Sequence, residues 1–215
     1  KKTDAYRTKF LIETLSELKK TLNDLNISLI VDNIEPSTGI VNWVKTLNVK
    51  EIYFQKEWTQ EERFVEDKLR SNLDSEINLH SNYDQFLFHP EDISFKLNDL
   101  PEVFTQFRKQ CERNSFVRQL TEEISPLSKE NLLDQSFSIP TLIDLGLDIK
   151  KSNPNSAFPF SGGTSQAKLR IQHYFWETKK LSFYKQTRNG LIGVDYSSKF
   201  SAWLANGSIS PRQLY

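Results

Sequence analysis

Over residues 5–83, helical patterns alternate with short apolar runs, and this alternation limits the fold more than any other feature of the chain. Leu11, Leu15, Leu18, Leu22 and Leu25 recur at helical spacing and predict a helix over residues 5–25, with Glu13, Glu17, Lys19 and Lys20 off the stripe. Ser28-Leu29-Ile30-Val31 is short, continuous and apolar, the pattern of a buried strand. Pro36 and Ser37 open a second helix through Ile40, Val41, Val44 and Leu47, since a first turn tolerates proline. Glu51-Ile52-Tyr53-Phe54 reads as the next strand. Thr59 through Leu73 reads as a charged helix, with Thr59 at the N-cap and Glu61 and Glu62 where the helix dipole favours acids. Ile77 to Tyr83 reads as a third strand. Helix and strand in turn, joined by short connections, is the grammar of a parallel sheet with crossover helices. The fold class is therefore α/β, with a Rossmann-like parallel sheet. In such sheets ligands sit beyond the carboxyl ends of the strands, so the loops after Val31, Phe54 and Tyr83 are candidate contacts. Gln55, Glu57 and Trp58 lie on one of them.

Later residues change character. Leu100-Pro101 through Lys109 begins another helix, with Val103, Phe104 and Phe107 on one face. From 114 to 157 the periodicity fades, polar residues are frequent, and Pro126, Pro140 and Pro154 interrupt the pattern. This stretch reads as a surface linker, and a linker of such length is expected to be docked rather than free. Helical patterns return over Gln166–Thr178, over Leu181–Thr187, from about Ser198 to Ala205, and again from Pro211. The expected organisation is an α/β domain over residues 1–113, a linker over 114–157, and the start of an all-α domain over 158–215. The chain has no Met, opens on a helical pattern, and its last residues read as a helix beginning. The expectation is a piece of a longer protein, with the sheet lacking its first strand and the helical domain its remainder.

Bulk properties exclude some classes. Net charge is zero, so global electrostatics select no nucleic-acid, membrane or acidic partner, although a local basic patch would be hidden in that sum. One cysteine, Cys111, leaves no internal disulfide and fits a reducing compartment. There is neither a long apolar run nor a signal-peptide pattern, and the chain reads as cytoplasmic, or nuclear or organellar in a eukaryotic cell. His80, His89 and His173 lack metal-ligand spacing with Cys111 or one another, and no nucleophile or phosphate-loop motif is present.

Chemistry concentrates near the end. Ser197-Ser198-Lys199-Phe200-Ser201 precedes a helical pattern, where free N–H groups, hydroxyls and an ammonium suit a pyrophosphate. The same residues also suit a plain serine N-cap beside a solvated lysine. Tyr184 and Arg188 share a helical face, as a stacking tyrosine beside a phosphate-binding arginine or as a surface cation–π pair. Gly162-Gly163 ahead of Thr164 reads as a turn that opens a helix more than as a ligand cradle.

Together these motifs resemble the photolyase/cryptochrome family, in its DASH-type cryptochrome branch. The resemblance is carried by Tyr184 through Gly190, Asp195 through Gly207 and Ser210 through Tyr215, then by Phe160 to Trp176, and by Leu100 through Lys109. It implies that the helical segment begins an FAD-binding domain, with Ser197, Ser198, Lys199, Phe200 and Ser201 around the FAD phosphates and Tyr184 also at the cofactor. Arg188 would lie toward damaged DNA. The α/β domain would hold an antenna, methenyltetrahydrofolate in many such proteins, near Gln55 and Glu57. The implied activity of the intact protein is blue-light-driven splitting of cyclobutane pyrimidine dimers, with single-stranded DNA favoured; the alternatives are blue-light signalling without repair, or an inactive truncated domain. The resemblance assigns no catalytic residue within these 215 residues.

Overall fold

Residues 3–151 and 153–215 are described by a computed structural model. In chain order its helices and strands are α1 (Ala5–Asp24), α2 (Pro36–Leu47), β1 (Glu51–Gln55), α3 (Gln60–Asn72), β2 (Asn78–Asn82), α4 (Phe104–Asn114), α5 (Thr164–Ile171), α6 (Tyr184–Thr187), α7 (Ser201–Ala205) and α8 (Pro211–Leu214). A π-helical turn over Gln172–Glu177 prolongs α5. Residues up to Val31 together with Thr121–Leu214 form one compact unit, and Asp32–Leu120 with Tyr215 form the other. No described helix is long and apolar enough to cross a membrane.

In the second of these units, β1 and β2 pair in parallel, from Glu51 opposite Asn78 to Gln55 opposite Asn82. Alternation puts Ile52, Phe54, Leu79 and Ser81 on a half-buried face, and leaves Tyr53 stacked on His80 on the exposed one, ring centroids 4.5 Å apart. α2 starts where Pro36 fixes the backbone and the Glu35 carboxylate accepts from Ser37 Oγ (2.6 Å) and Thr38 N (3.1 Å). The Ser37 hydrogen bond leads the causes that hold Glu35 down at about 2. α2 ends at Asn48, which takes the left-handed conformation (φ 51°) that Asn tolerates. α3 carries Glu61 and Glu62 in its first turn as expected, but the Thr59 side chain makes no capping bond. α4 starts at Phe104 rather than at Leu100.

The expected strand at Ser28–Val31 does not form. Its neighbours are not strands but the linker: Leu127 N donates to Leu25 O (3.0 Å), Asn131 Nδ2 to Asn26 O (2.9 Å) and Leu133 N to Ser28 Oγ (2.9 Å). Apolar continuity marks a segment fit for a sheet, but a strand exists only beside a partner. The linker is docked along α1 as well, through Lys19 to Phe137 O and Tyr6 Oη to Lys151 O.

The leucine stripe of α1 is unevenly covered: Leu15, Leu22 and Leu25 are half-buried, whereas Leu11 is 46% exposed and Leu18 41%. Ala5 and Thr8 are buried, and Phe10 packs on the aromatic core. That core is Trp203, Tyr174, Phe200, Ile209 and Ala167, with Phe10, Phe158, Phe160 and Ile171 against it. Trp203 is fully buried, and its indole N–H donates to Ser161 O at 3.1 Å.

Polar residues of α1 also cap α5. Glu13 Oε2 accepts from Gly162 N (2.8 Å), Thr14 Oγ1 from Gly163 N (3.0 Å), and Glu17 Oε1 from Ser165 N (2.8 Å). Two carboxylates thus meet the positive end of a helix dipole and take N–H groups that have no intrahelical acceptor. This approach is possible because residue 162 is glycine, where a Cβ would lie 2.0 Å from Phe10 O. The Gly162-Gly163 pair is therefore a helix-opening turn. Gly162→Ala should destabilise the chain by about 3 kcal/mol, the upper end of overpacking penalties. Gly39→Ala, whose Cβ would meet Ile34 at an ordinary 3.6 Å inside α2, should stabilise it by up to about 1 kcal/mol. Denaturant melts of the two variants check the contrast, and equal shifts would contradict it.

Candidate functional site

The serine-rich segment leads into its helix later than its pattern predicts. Lys199 is left-handed (φ 65°), which interrupts any helix, and α7 starts only at Ser201. Phe200 holds the N-cap position, with no side-chain capping bond. The plain serine-cap reading is thus replaced by a loop that runs from residue 194 to its junction with α7 at residue 201, and whose backbone reverses at Lys199.

That loop is held from inside by Arg170, which is 3% exposed. Its Nε–H donates to Ser198 O (3.0 Å), one terminal nitrogen to Asp195 Oδ1 (2.7 Å), and the other to Val194 O (3.0 Å) and Ser197 O (3.1 Å). The guanidinium lies over the rings of Phe160 and Tyr174, 4.9 and 5.1 Å from their centroids. A buried charge needs both a counter-ion and hydrogen-bond partners, and Arg170 has both. The consequence for the loop is geometric. Every described peptide bond is trans, so a carbonyl that points in at Arg170 has its N–H pointing away. The N–H groups of Ser198 and Lys199 face outward, and among the described residues neither they nor the hydroxyls of Ser197, Ser198 and Ser201 are paired with a protein acceptor. Successive outward amides around a left-handed residue form an anion-binding concavity.

Asp195 completes the inner side. Burial pushes its carboxyl up, but the Arg170 hydrogen bond, followed by His173, outweighs burial and holds it below the usual carboxylate range. His173 Nε2 lies 3.5 Å from Asp195 Oδ2, and Nδ1 lies 3.3 Å from Glu177 Oε2. The expected helix over Gln166–Thr178 is α-helical only to Ile171; the π turn that follows buries Tyr174 and accepts Thr178 N at His173 O (2.9 Å).

The other predicted residues are distributed unevenly. Lys199 Nζ lies over the Tyr196 ring, 3.4 Å from its centroid. The Phe200 ring turns into the core against Tyr174 and Phe175, leaving its backbone alone on the loop. Tyr184 opens α6 and Arg188 follows its end, their backbones joined by Arg188 N to Tyr184 O (2.8 Å), and both side chains are exposed. Thr187 Oγ1 donates to Tyr196 O (3.0 Å), tying α6 to the same loop. In the other unit, Gln55 Nε2 donates to Glu57 Oε1 (2.6 Å) beside Trp58, which stacks on Tyr83 with centroids 4.6 Å apart. The sequence gives no role to Arg170, Asp195 or Tyr174, although the resemblance runs through all three. The spacing of Arg170 and Tyr174 shows a shared helical face, but nothing in the sequence links position 170 to carbonyls 24–28 residues later.

Because Asp195 is depressed when folded, its contribution to stability is present above the unfolded carboxylate value of about 4 and is lost as pH falls through the lower folded value. Asp195→Asn should lower the melting temperature by a constant amount between about pH 5 and 7, and the gap to the parent chain should close below about pH 4. A gap that persists at acid pH would contradict the pairing.

Comparison with known proteins gives the family of the chain. A family model described as DNA photolyase matches residues 1–126. The chain is 40% identical over 223 residues to Cryptochrome DASH of Xenopus laevis, covering 100% of this chain and 42% of that protein. It is 36% identical over 215 residues to Cryptochrome DASH of Gloeobacter violaceus, covering 100% and 43%. The crystal structure of a Synechocystis cryptochrome superposes with a TM-score of 0.86 at 35% identity, over 99% of this chain and 44% of that one. An archaeal photolyase from Sulfolobus tokodaii, solved with two FAD molecules, shares the fold with a TM-score of 0.70 at 19% identity, over 99% and 44%. The chain spans less than half the length of the curated relatives it matches. A parallel α/β segment followed by an aromatic helical core, matched over most of its α/β residues by the family model and over its whole length by these relatives, makes this chain a member of the DNA photolyase family, similar to its DASH-type cryptochromes.

Proposed function

We propose that this chain contributes to an FAD-dependent, blue-light-driven enzyme that splits cyclobutane pyrimidine dimers, with single-stranded DNA favoured. The observation that carries the reading is the 194–201 loop, whose carbonyls are taken by Arg170 while its amides and serine hydroxyls face outward. That donor set fits a pyrophosphate: N–H groups of Ser198 and Lys199, hydroxyls of Ser197, Ser198 and Ser201, and an ammonium at Lys199. Phe200 would contribute its backbone alone, since its ring is in the core. Tyr184, exposed on α6, would lie along the cofactor. When bound, reduced FAD supplies the light-driven electron that opens the dimer. The residues of this chain bind and orient it, and the Trp203 core keeps the seat rigid.

Arg188 and Lys185 are exposed on one short stretch that has no acidic residue between Lys179 and Val194, a basic surface suited to DNA phosphates. A dimer must leave the base stack to meet a cofactor, which is easiest in single strands. In the α/β part, Gln55 and Glu57 beside the Trp58–Tyr83 stack offer polar groups and an aromatic platform for a methenyltetrahydrofolate antenna. The thiol of Cys111 fits a reducing compartment, cytoplasmic, or nuclear or organellar in a eukaryotic cell.

In the full-length protein, Lys199→Glu should weaken FAD retention by about tenfold to a hundredfold through a like charge at the phosphates, measured by flavin absorbance after dialysis. Unchanged retention would remove the phosphate assignment. Arg188→Glu should weaken binding to a dimer-bearing single strand and flatten the salt dependence by about 0.7 in slope. Illumination of the flavin-loaded protein with that oligonucleotide should restore thymines; bound flavin without restoration would leave the blue-light receptor reading.

A further inference from the structure

We infer that Arg170 is a positioning residue for the cofactor phosphates: it does not touch them, but fixes the peptides that do. The inference rests on the proposed phosphate seat and adds what aims it. A carboxylate beside an arginine can take two of its five N–H donors in a bidentate pair. Arg170 instead gives Asp195 a single nitrogen and spends its remaining contacts on the carbonyls of Val194, Ser197 and Ser198. Those carbonyls belong to the peptides whose N–H groups are on Asp195, Ser198 and Lys199, two of them in the outward donor set. A cation on a carbonyl polarises its peptide and strengthens the N–H at the other end. The ring faces of Phe160 and Tyr174 set the plane of the fork, so the three carbonyls are met in one geometry. With Asp195 neutralising it and only 3% of its surface exposed, Arg170 acts on an anion through the backbone and not by direct contact.

A lysine keeps the charge but, as a single compact ammonium, cannot span carbonyls reached by both Nε and a terminal nitrogen. The test uses the full-length protein and two probes, FAD and riboflavin, which shares the flavin ring but lacks phosphates. Arg170→Lys should weaken FAD binding by about thirtyfold, roughly the loss of one hydrogen bond to a charged group, and leave riboflavin binding unchanged. Circular dichroism and melting establish that the variant is folded. Equal losses for FAD and riboflavin would make Arg170 a structural residue and overturn the proposal, as would a folded variant with no loss of FAD. A parent protein that binds riboflavin as tightly as FAD would overturn the phosphate seat itself, and the positioning role with it. If Arg170→Lys does not fold, Phe160→Leu removes one ring from the guanidinium while its hydrogen-bond partners remain. That variant should lose about threefold in FAD affinity and none for riboflavin; equal changes for the two probes, or no change for either, would overturn the proposal.

Discussion

The buried guanidinium of Arg170 is the constraint on which the rest of the helical unit depends. It joins three parts of the chain: α5 with the π turn that prolongs it, through Tyr174; the 158–161 approach, through Phe160; and the 194–198 loop. Desolvating that charge is expensive, and the structure meets the expense with one carboxylate, three carbonyls and two aromatic faces. Once those groups are committed, the loop has one way to run. Its Ser198 and Lys199 amides point away from the guanidinium because the peptides are planar and trans.

The N-terminus of α5 is managed by the same logic with the signs reversed. Glu13, Thr14 and Glu17 accept the first N–H groups of that helix, and the contact is close because Gly162 lacks a Cβ. An anion-seeking helix end is thereby closed by α1, whereas the amides of the 194–201 loop are left open. Of the two glycine- or serine-rich stretches that could attract a phosphate, one is already occupied by the protein's own carboxylates. The Phe10–Trp203 and Phe158–Trp203 contacts, 5.8 and 5.5 Å between centroids, bind the two regions into one core.

Much of the fold was legible from the chain, for reasons that can be named. Local signals held where local physics decides: the proline start of α2, the acidic first turn of α3, and the parallel pairing implied by alternating helices and strands. They failed where a distant partner decides. Ser28–Val31 has strand composition but is hydrogen-bonded to a linker. The leucines of α1 have ideal spacing, yet its intimate contacts are made by Glu13, Thr14 and Glu17 from outside the stripe. The start of α7 moved to Ser201 because Lys199 takes a left-handed backbone, a conformation that lysine composition does not announce. Arg170 was invisible for the same reason: its role is defined by the backbone of residues 194–198, and backbone carbonyls carry no sequence signature.

The central claim is that the outward amides of the 194–201 loop meet the cofactor's phosphates. Hydrogen exchange on the full-length protein, with FAD bound and after its removal, tests it most directly. The account predicts that the amides of Ser198 and Lys199 exchange markedly more slowly with FAD bound, while those of Leu191 and Ile192, on the neighbouring exposed loop, are unchanged. Slowing elsewhere, with Ser198 and Lys199 exchanging at the same rate in both states, would contradict it.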